Sequence, residues 1–221
     1  MSHSVHPYSH RLGVIRDWKS RWFGVPGKYQ KFLRSDVMIR EFLEKRLHGN
    51  YVGSIEIERG GNSLRVIIKT ARPGMIIGRN GDGTAKLKDQ IVAKMKKAKL
   101  DIPKDVKIEI EEIRFAETSA SVVGQMCAEG LEKRLPFMRV MKQAIEKTMA
   151  NREAKGIKIT MSGRLGGADM SRVETVKNGR LPLQTLRADI DFAREKAHLP
   201  YGDIGIKVWI YKGEIFEKAK K

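Results

Sequence analysis

Between residues 73 and 88 the chain reads PGMIIGRNGDGTAKLK, with glycine at 74, 78, 81 and 83. Glycine loses more conformational freedom on folding than any other residue. Concentrating it here makes sense only where the backbone must turn through left-handed conformations or let another backbone come very close. Pro73 suits the first turn of a short helix. Downstream, Leu87, Ile91, Met95 and Ala98 recur at helical spacing, while Lys86, Lys88, Lys94, Lys96, Lys97 and Lys99 occupy the other faces. The glycines therefore join two helices. A dinucleotide fingerprint needs G-x-G-x-x-G after a strand, and a P-loop needs a closing Gly-Lys-Ser/Thr; Gly78, Gly81 and Gly83 satisfy neither. Gly83 falls in the first turn of the second helix, where it is expected to loosen that turn by up to about 1 kcal/mol relative to alanine.

The flanking pattern gives this loop a frame. Tyr29, Phe32, Leu33, Val37, Phe42, Leu43 and Leu47 keep helical spacing from Lys28 to His48, and Gly49 and Asn50 end the helix. Ile55 and Ile57 alternate with Glu56 and Glu58, a glycine turn follows at 60–62, and Leu64, Val66 and Ile68 form the hairpin partner. Val106, Ile108 and Ile110 mark a third strand. The order is helix, strand, strand, short helix, glycine loop, helix, strand. At the loop, Gly78 and Gly81 let a single-stranded backbone approach, N–H groups at the start of the next helix face outward, Arg79 and Lys86 add charge, and Asn80 adds a hydrogen-bond donor.

Charge points to the same ligand class. The 221 residues carry 44 Lys and Arg against 26 Asp and Glu, a formal net charge of +18. Such an excess repels itself in a lone compact protein and suits a polyanionic partner. Nucleic acid is the first candidate, and an anionic membrane the second. No run of about 18 apolar residues is present to span a bilayer, and the N-terminus lacks a secretory pattern. The single cysteine, Cys127, excludes a disulfide framework or a cysteine metal site, and its neighbours Val122, Val123, Met126 and Leu131 make it a buried hydrophobe. The expected compartment is the cytoplasm.

Residues 1–27 carry Arg11, Arg16, Lys19 and Arg21 interleaved with Tyr8, Trp18, Trp22 and Phe23. They read as an extended basic-aromatic arm ordered by nucleic acid, with the cations on phosphate and Trp22 stacking. Residues 216–221 read as a short basic tail.

Past Ile113 the composition changes. Thr118 and Ser119 can cap a helix through Arg134, and Pro136 opens another to about Ala154. A helical wheel set on Met138 turns Met138, Met141, Ile145 and Met149 inward, with Phe137, Val140 and Ala144 extending the apolar arc on one side, and leaves a basic ridge that includes Arg139. Strands follow near residues 157, 171, 188 and 204. In the last, Ile204, Ile206, Val208 and Ile210 point inward and Lys207, Trp209 and Tyr211 outward. This is an α+β layer: two helices on a mostly antiparallel four-stranded sheet. A second glycine cluster, SGRLGGADMSR at 162–172, links strands and places Arg164 and Arg172 at its ends as candidate RNA contacts. Asp189 and Asp191 could suggest a metal pair, but Arg187 and Arg194 beside them make ion pairing the stronger reading. No catalytic constellation, metal site or cofactor site is expected.

The I-I-G-x-x-G run at Ile76, Ile77, Gly78, Arg79, Asn80 and Gly81, in that element order, resembles a type II KH domain. SVHPYSHRLGVIRDWKSRWF, TARPGMIIGRNG, AKGIKITMSGRLGGADMSR and LPLQTLRADIDFAREKAHLPYGDIGIKVWIYKGE, in this order, extend the resemblance to the bacterial small-subunit ribosomal protein S-three family. The resemblance implies an α+β chain: a KH domain at 28–112 with a three-stranded sheet and helices on one face, and a family C-terminal domain at 113–215. It implies a structural, non-enzymatic role in the head of the small subunit, with small-subunit rRNA as ligand. It also implies neighbours S-ten and S-fourteen, and a position at the mRNA entry channel near S-four and S-five. There Lys133, Arg134, Arg139 and Lys142 would face the message. The alternative is a stand-alone KH-type single-stranded RNA-binding protein. A metal-dependent nuclease would cut free RNA in Mg²⁺, and a membrane-surface protein would bind anionic vesicles as tightly as RNA.

Overall fold

A computed structural model describes residues 5–101 and 103–216. All but Phe216 of the expected tail at 216–221 and the first four residues of the arm lie outside the described residues. The chain divides into two compact units. One is Trp18–Arg114; the other joins the residues up to Asp17 to those from Phe115 onward.

In chain order, the first elements are α1 (Pro7–His10), which belongs to the second unit, then β1 (Ser20–Arg21), α2 (Tyr29–Arg46), β2 (Val52–Arg59), β3 (Ser63–Thr70), α3 (Pro73–Ile77), a 3-10 turn (Arg79–Gly81), α4 (Asp82–Lys97) and β4 (Asp105–Glu112). The sheet order is β1-β2-β3-β4. β2 and β3 form the expected hairpin, and β3 and β4 run parallel with Val66 beside Ile108. Apolar residues at period 3.6 on the helices meet those at period 2 on the strands. Ile39 and Leu43 of α2, Leu47 just after it, and Leu87, Ile91 and Met95 of α4 close over Ile55, Ile57, Leu64, Val66 and Ile68. The opposite sheet face is an ion-pair lattice. Glu56 takes Arg21 and Lys69, and Arg65 bridges Glu58 and Glu109.

The sheet has a fourth strand that the alternation pattern did not announce. β1 pairs in parallel with β2, Ser20 beside Ile57. It comes from residues expected to form a free arm, and two residues are too short to show a period. Trp22 follows it. Its indole N–H donates to Asp36 Oδ2 at 2.7 Å, and its ring packs on Tyr29 and Phe32. Asp36 also takes the buried Arg59 guanidinium at 2.8 Å from Nε.

The second unit continues with α5 (Ala120–Glu132), α6 (Phe137–Ala150), β5 (Gly156–Gly163), β6 (Arg172–Gly179), β7 (Ala188–Leu199) and β8 (Gly202–Glu214). Its sheet runs β6-β5-β8-β7, and every pairing is antiparallel. Ile157, Ile159, Met161, Ile206, Val208 and Ile210 face Val123, Cys127, Leu131, Val140, Met141 and Ile145 of the two helices. Cys127 is buried there, and burial pushes its thiol up to about 12.

Residues 5–17 are a folded part of this unit, not an extended arm. Arg11 is 0% exposed. Its Nε donates to the Ala188 carbonyl at 2.6 Å, Nη1 to Pro7, and Nη2 to Leu183 and Thr185 at 2.8 and 2.9 Å. Burial pulls the guanidinium down from its usual value, and Asp189 partly offsets that. The His6 ring meets Phe192 edge-on at 4.7 Å. Tyr211, expected to point to solvent, is instead buried in a small second core with Ala188 and Ile190. The arm reading failed because a cation-rich, aromatic-rich segment has the same composition whether it awaits a phosphate or donates to carbonyls of its own fold.

Candidate nucleic-acid interface

The glycine loop is built by the close approach of α3 and α4. Gly78 ends α3 at φ 72°, its N–H donating to the Gly74 carbonyl at 3.1 Å. Gly81 adopts the left-handed conformation at φ 83° and opens α4, and Thr84 Oγ1 donates back to its carbonyl at 2.7 Å. Gly83 has a role that helix propensity misjudges. A Cβ there would stand 2.2 Å from the Ile76 carbonyl oxygen and 2.8 Å from that of Ile77. The helices can touch only because Gly83 has no side chain. Gly83 therefore permits the junction, and the expectation that it merely loosens a turn is corrected.

This junction presents Arg79 to solvent beside the start of α4, with Lys86 exposed one turn on. Ile76 is anchored in the core, while Met75 and Ile77 remain exposed next to the loop. Arg79 has no ion-pair partner among the described residues. Asp82 sits in the first turn of α4, satisfying the helix dipole but opposing an incoming phosphate. The side chain of Asn80 lies outside the described residues; its backbone belongs to the 3-10 turn.

On the second unit, Arg139 and Lys142 are exposed three residues apart on one face of α6. Lys133 and Arg134 lie just before the helix, in the turn after α5. Lys133 reaches Glu129 at 2.5 Å, and Arg134 takes a left-handed φ of 61°. Met138 is 39% exposed, on the ridge side and not in the core. The buried stripe runs through Val140, Met141, Ile145 and Thr148, so its centre lies roughly 65° from that of the Met138-centred set at 100° per residue, toward the Val140 side of the apolar arc. Thr148 completes this stripe: its hydroxyl donates to the Ala144 carbonyl at 2.9 Å, which lets a polar residue be buried inside it.

Other expected contacts serve the fold. Arg16 binds Asp189 at 2.5 Å, and Arg21 spans Glu56 and Glu58. Trp22 is held between α2 residues. Lys19 is exposed, and its carbonyl accepts from the Ile57 N–H at 2.9 Å. Arg164 clamps its own loop, donating to the Ala168 and Tyr201 carbonyls and to Asp169 at 2.9, 3.3 and 3.1 Å. Arg172 remains exposed, its guanidinium 5.2 Å from the Phe137 ring centroid. Arg11, Arg16, Trp22 and Arg164 are thus committed to intramolecular partners, which the residue types alone did not reveal. Asp191 accepts the Ala120 N–H at 2.9 Å and caps α5, while Asp189 holds Arg16. They form no metal pair. Among the described residues no group of three His, Cys, Asp or Glu could hold a metal ion, and no helix is long and apolar enough to cross a membrane.

Comparison with known proteins falls on both units. Residues 38–118 match the KH domain model, and residues 127–210 match the model of the ribosomal protein S3 C-terminal domain. The small ribosomal subunit protein uS3 of Caldicellulosiruptor bescii is 46% identical over 215 residues, covering 97% of this chain and 94% of that protein. That of Hydrogenovibrio crunogenus is 46% identical over 218 residues, covering 99% and 92%. This chain belongs to the small ribosomal subunit protein uS3 family. A third uS3, from Syntrophomonas wolfei, is 46% identical over 221 residues, covering 100% and 93%. The uS3 family is a structural, non-enzymatic component of the small ribosomal subunit. The two matched models agree with the α+β architecture described above, and membership in uS3 does not favour the stand-alone RNA-binding alternative.

Proposed function

We propose that this chain, within the small subunit in the cytoplasm, binds small-subunit rRNA through the Gly78–Gly81 loop and faces mRNA at the entry channel with the α6 ridge. The observation that carries the reading is the loop itself. Two positive-φ glycines, with Gly83 behind them, leave a side-chain-free surface next to the exposed Arg79. An RNA backbone can approach such a surface closely, with N–H groups and a cation facing phosphate. Arg139 and Lys142, with Lys133 and Arg134 just before α6, supply fixed positive charge that would hold message strands by their phosphates without nucleotide hydrolysis. The family resemblance adds S-ten and S-fourteen as direct neighbours, with S-four and S-five nearby. In the full chain, replacing Arg79 and Asn80 by Asp is expected to weaken RNA binding for all sequences alike and leave the melting temperature nearly unchanged. Retained affinity in the folded variant removes the loop from the interface. Ribosomes carrying Arg139→Ala and Lys142→Ala are expected to read unstructured messages normally and to stall more at a stable downstream hairpin. Equal slowing on both messages returns the ridge to a solvated helix face.

A further inference from the structure

The geometry points to a second RNA site on the open face of the β6-β5-β8-β7 sheet, one that takes single-stranded RNA by stacking and phosphate pairing. The inference rests on RNA being the ligand of this chain, but it does not use the glycine loop.

The strand register assembles this face from four separate segments. Lys177, Lys158, Trp209 and Phe192 form one row across all four strands. In the next row Lys207 lies beside Arg194, and Lys196 follows along β7. Lys177, Lys207, Arg194 and Lys196 are exposed, and Lys158, Trp209 and Phe192 are half-buried. No carboxylate stands in these rows. Glu174, Asp191 and Glu195 pair with Met161, Ile210 and Ile206, and so fall on the helix side. Asp189 and Glu214, at the Ala188 end, are taken by Arg16 and Arg187, and Asp203, at the other end, pairs with His198.

The other sheet of the same chain shows what a merely solvated basic face looks like. There Arg21, Arg65 and Lys69 all have carboxylate partners on neighbouring strands. On the β6-β5-β8-β7 face, Lys158, Lys177, Arg194, Lys196 and Lys207 have no ion-pair partner among the described residues. Two of them rest on rings instead: Lys158 Nζ lies 5.0 Å from the Trp209 centroid, and the Arg194 guanidinium 5.5 Å from that of Phe192. A concentration of cations without counter-charge fits a polyanion. Aromatic rings set among them fit bases, since every base offers a π-face. A base on Trp209 takes the place of the Lys158 ammonium, which then reaches the flanking phosphate. Residues 5–11 cover the Ala188–Phe192 end, so the strand follows the rows toward Lys207 and Lys196.

The test uses the full chain and a fluorescent uridine 12-mer carrying one 4-thiouridine. Two variants are compared: Lys177→Glu with Arg194→Glu and Lys207→Glu on the sheet, and Arg79→Asp with Asn80→Asp in the loop. Circular dichroism checks that each is folded. The sheet variant is expected to lose at least roughly tenfold in affinity. The slope of log affinity against log salt should shrink by about 2, from three contacts at about 0.7 each. In the parent and in the loop variant, photocrosslinks should map to residues 188–214. A sheet variant with parental affinity and slope, or crosslinks confined to residues 73–97, overturns the sheet site and leaves the loop reading standing. Loss in the sheet variant alone supports the sheet site and overturns the loop reading.

Discussion

Gly83 and Arg11 show how one residue can be misjudged from its type. Alanine is the best helix former, and propensity alone predicts that Gly83→Ala stabilises α4 by up to about 1 kcal/mol. The contact with the Ile76 carbonyl predicts the opposite, because backbone cannot move aside as a side-chain tip can. We expect Gly83→Ala to destabilise the chain by about 1–3 kcal/mol, the usual range for overpacking. A urea midpoint that rises would show that α3 and α4 separate freely. Arg11 makes the converse case. Its guanidinium satisfies carbonyls at 7, 183, 185 and 188 in a fixed fork, which a lysine ammonium cannot match. Arg11→Lys is expected to cost roughly 3 kcal/mol in chemical denaturation and to leave the salt dependence of RNA binding unchanged. A shallower salt slope with unchanged stability would return Arg11 to the RNA interface.

At the scale of elements, α5 and α6 separate local from tertiary signals. The sequence offers Thr118 and Ser119 as local caps for α5. Thr118 Oγ1 instead donates to the Phe115 carbonyl, and Ser119 makes no capping bond. The cap is Asp191, 71 positions away. Asp191→Ala is therefore expected to cost about 1 kcal/mol, the typical worth of an N-cap, with Ser119→Ala close to neutral. The reverse order in thermal denaturation would restore the local cap. In α6 the apolar period located the helix correctly but not its rotation. Three of the residues that set its buried face, Val140, Met141 and Ile145, were visible as apolar, whereas Thr148 looked like solvent-facing polarity. Met138 is consequently on the side of Arg139 and Lys142. This makes it a neighbour of the ridge and not part of the core.

For the molecule as a whole, the unit that begins at Trp18 makes a prediction about where its fold is complete. A fragment of residues 18–114 retains β1, the Trp22–Asp36 bond and the Arg21 pairs with Glu56 and Glu58. A fragment of residues 28–114 loses them and leaves Asp36 with Arg59 alone. The longer fragment is expected to unfold at a higher denaturant concentration by the equivalent of about 2 kcal/mol, from one charge-assisted hydrogen bond and the aromatic packing around it. Equal midpoints would make residues 18–27 an arm after all. The periodicities of 3.6 and 2, the glycine spacing at 78 and 81 and the proline at 136 were enough by themselves to indicate two α+β layers, the order of the elements from α2 to β8 and the loop between α3 and α4, but not α1 or β1. These are local signals, written within one or two turns of the residues that obey them. Tertiary structure alone decided which cations are free. Arg11, Arg16 and Arg21 look no different in sequence from Arg79 or Lys207. They differ because folding brings carbonyls and carboxylates from distant strands within hydrogen-bond reach of the first group and leaves the second facing solvent. For these three arginines the partner is set by tertiary pairing, and no short window along the chain contains it.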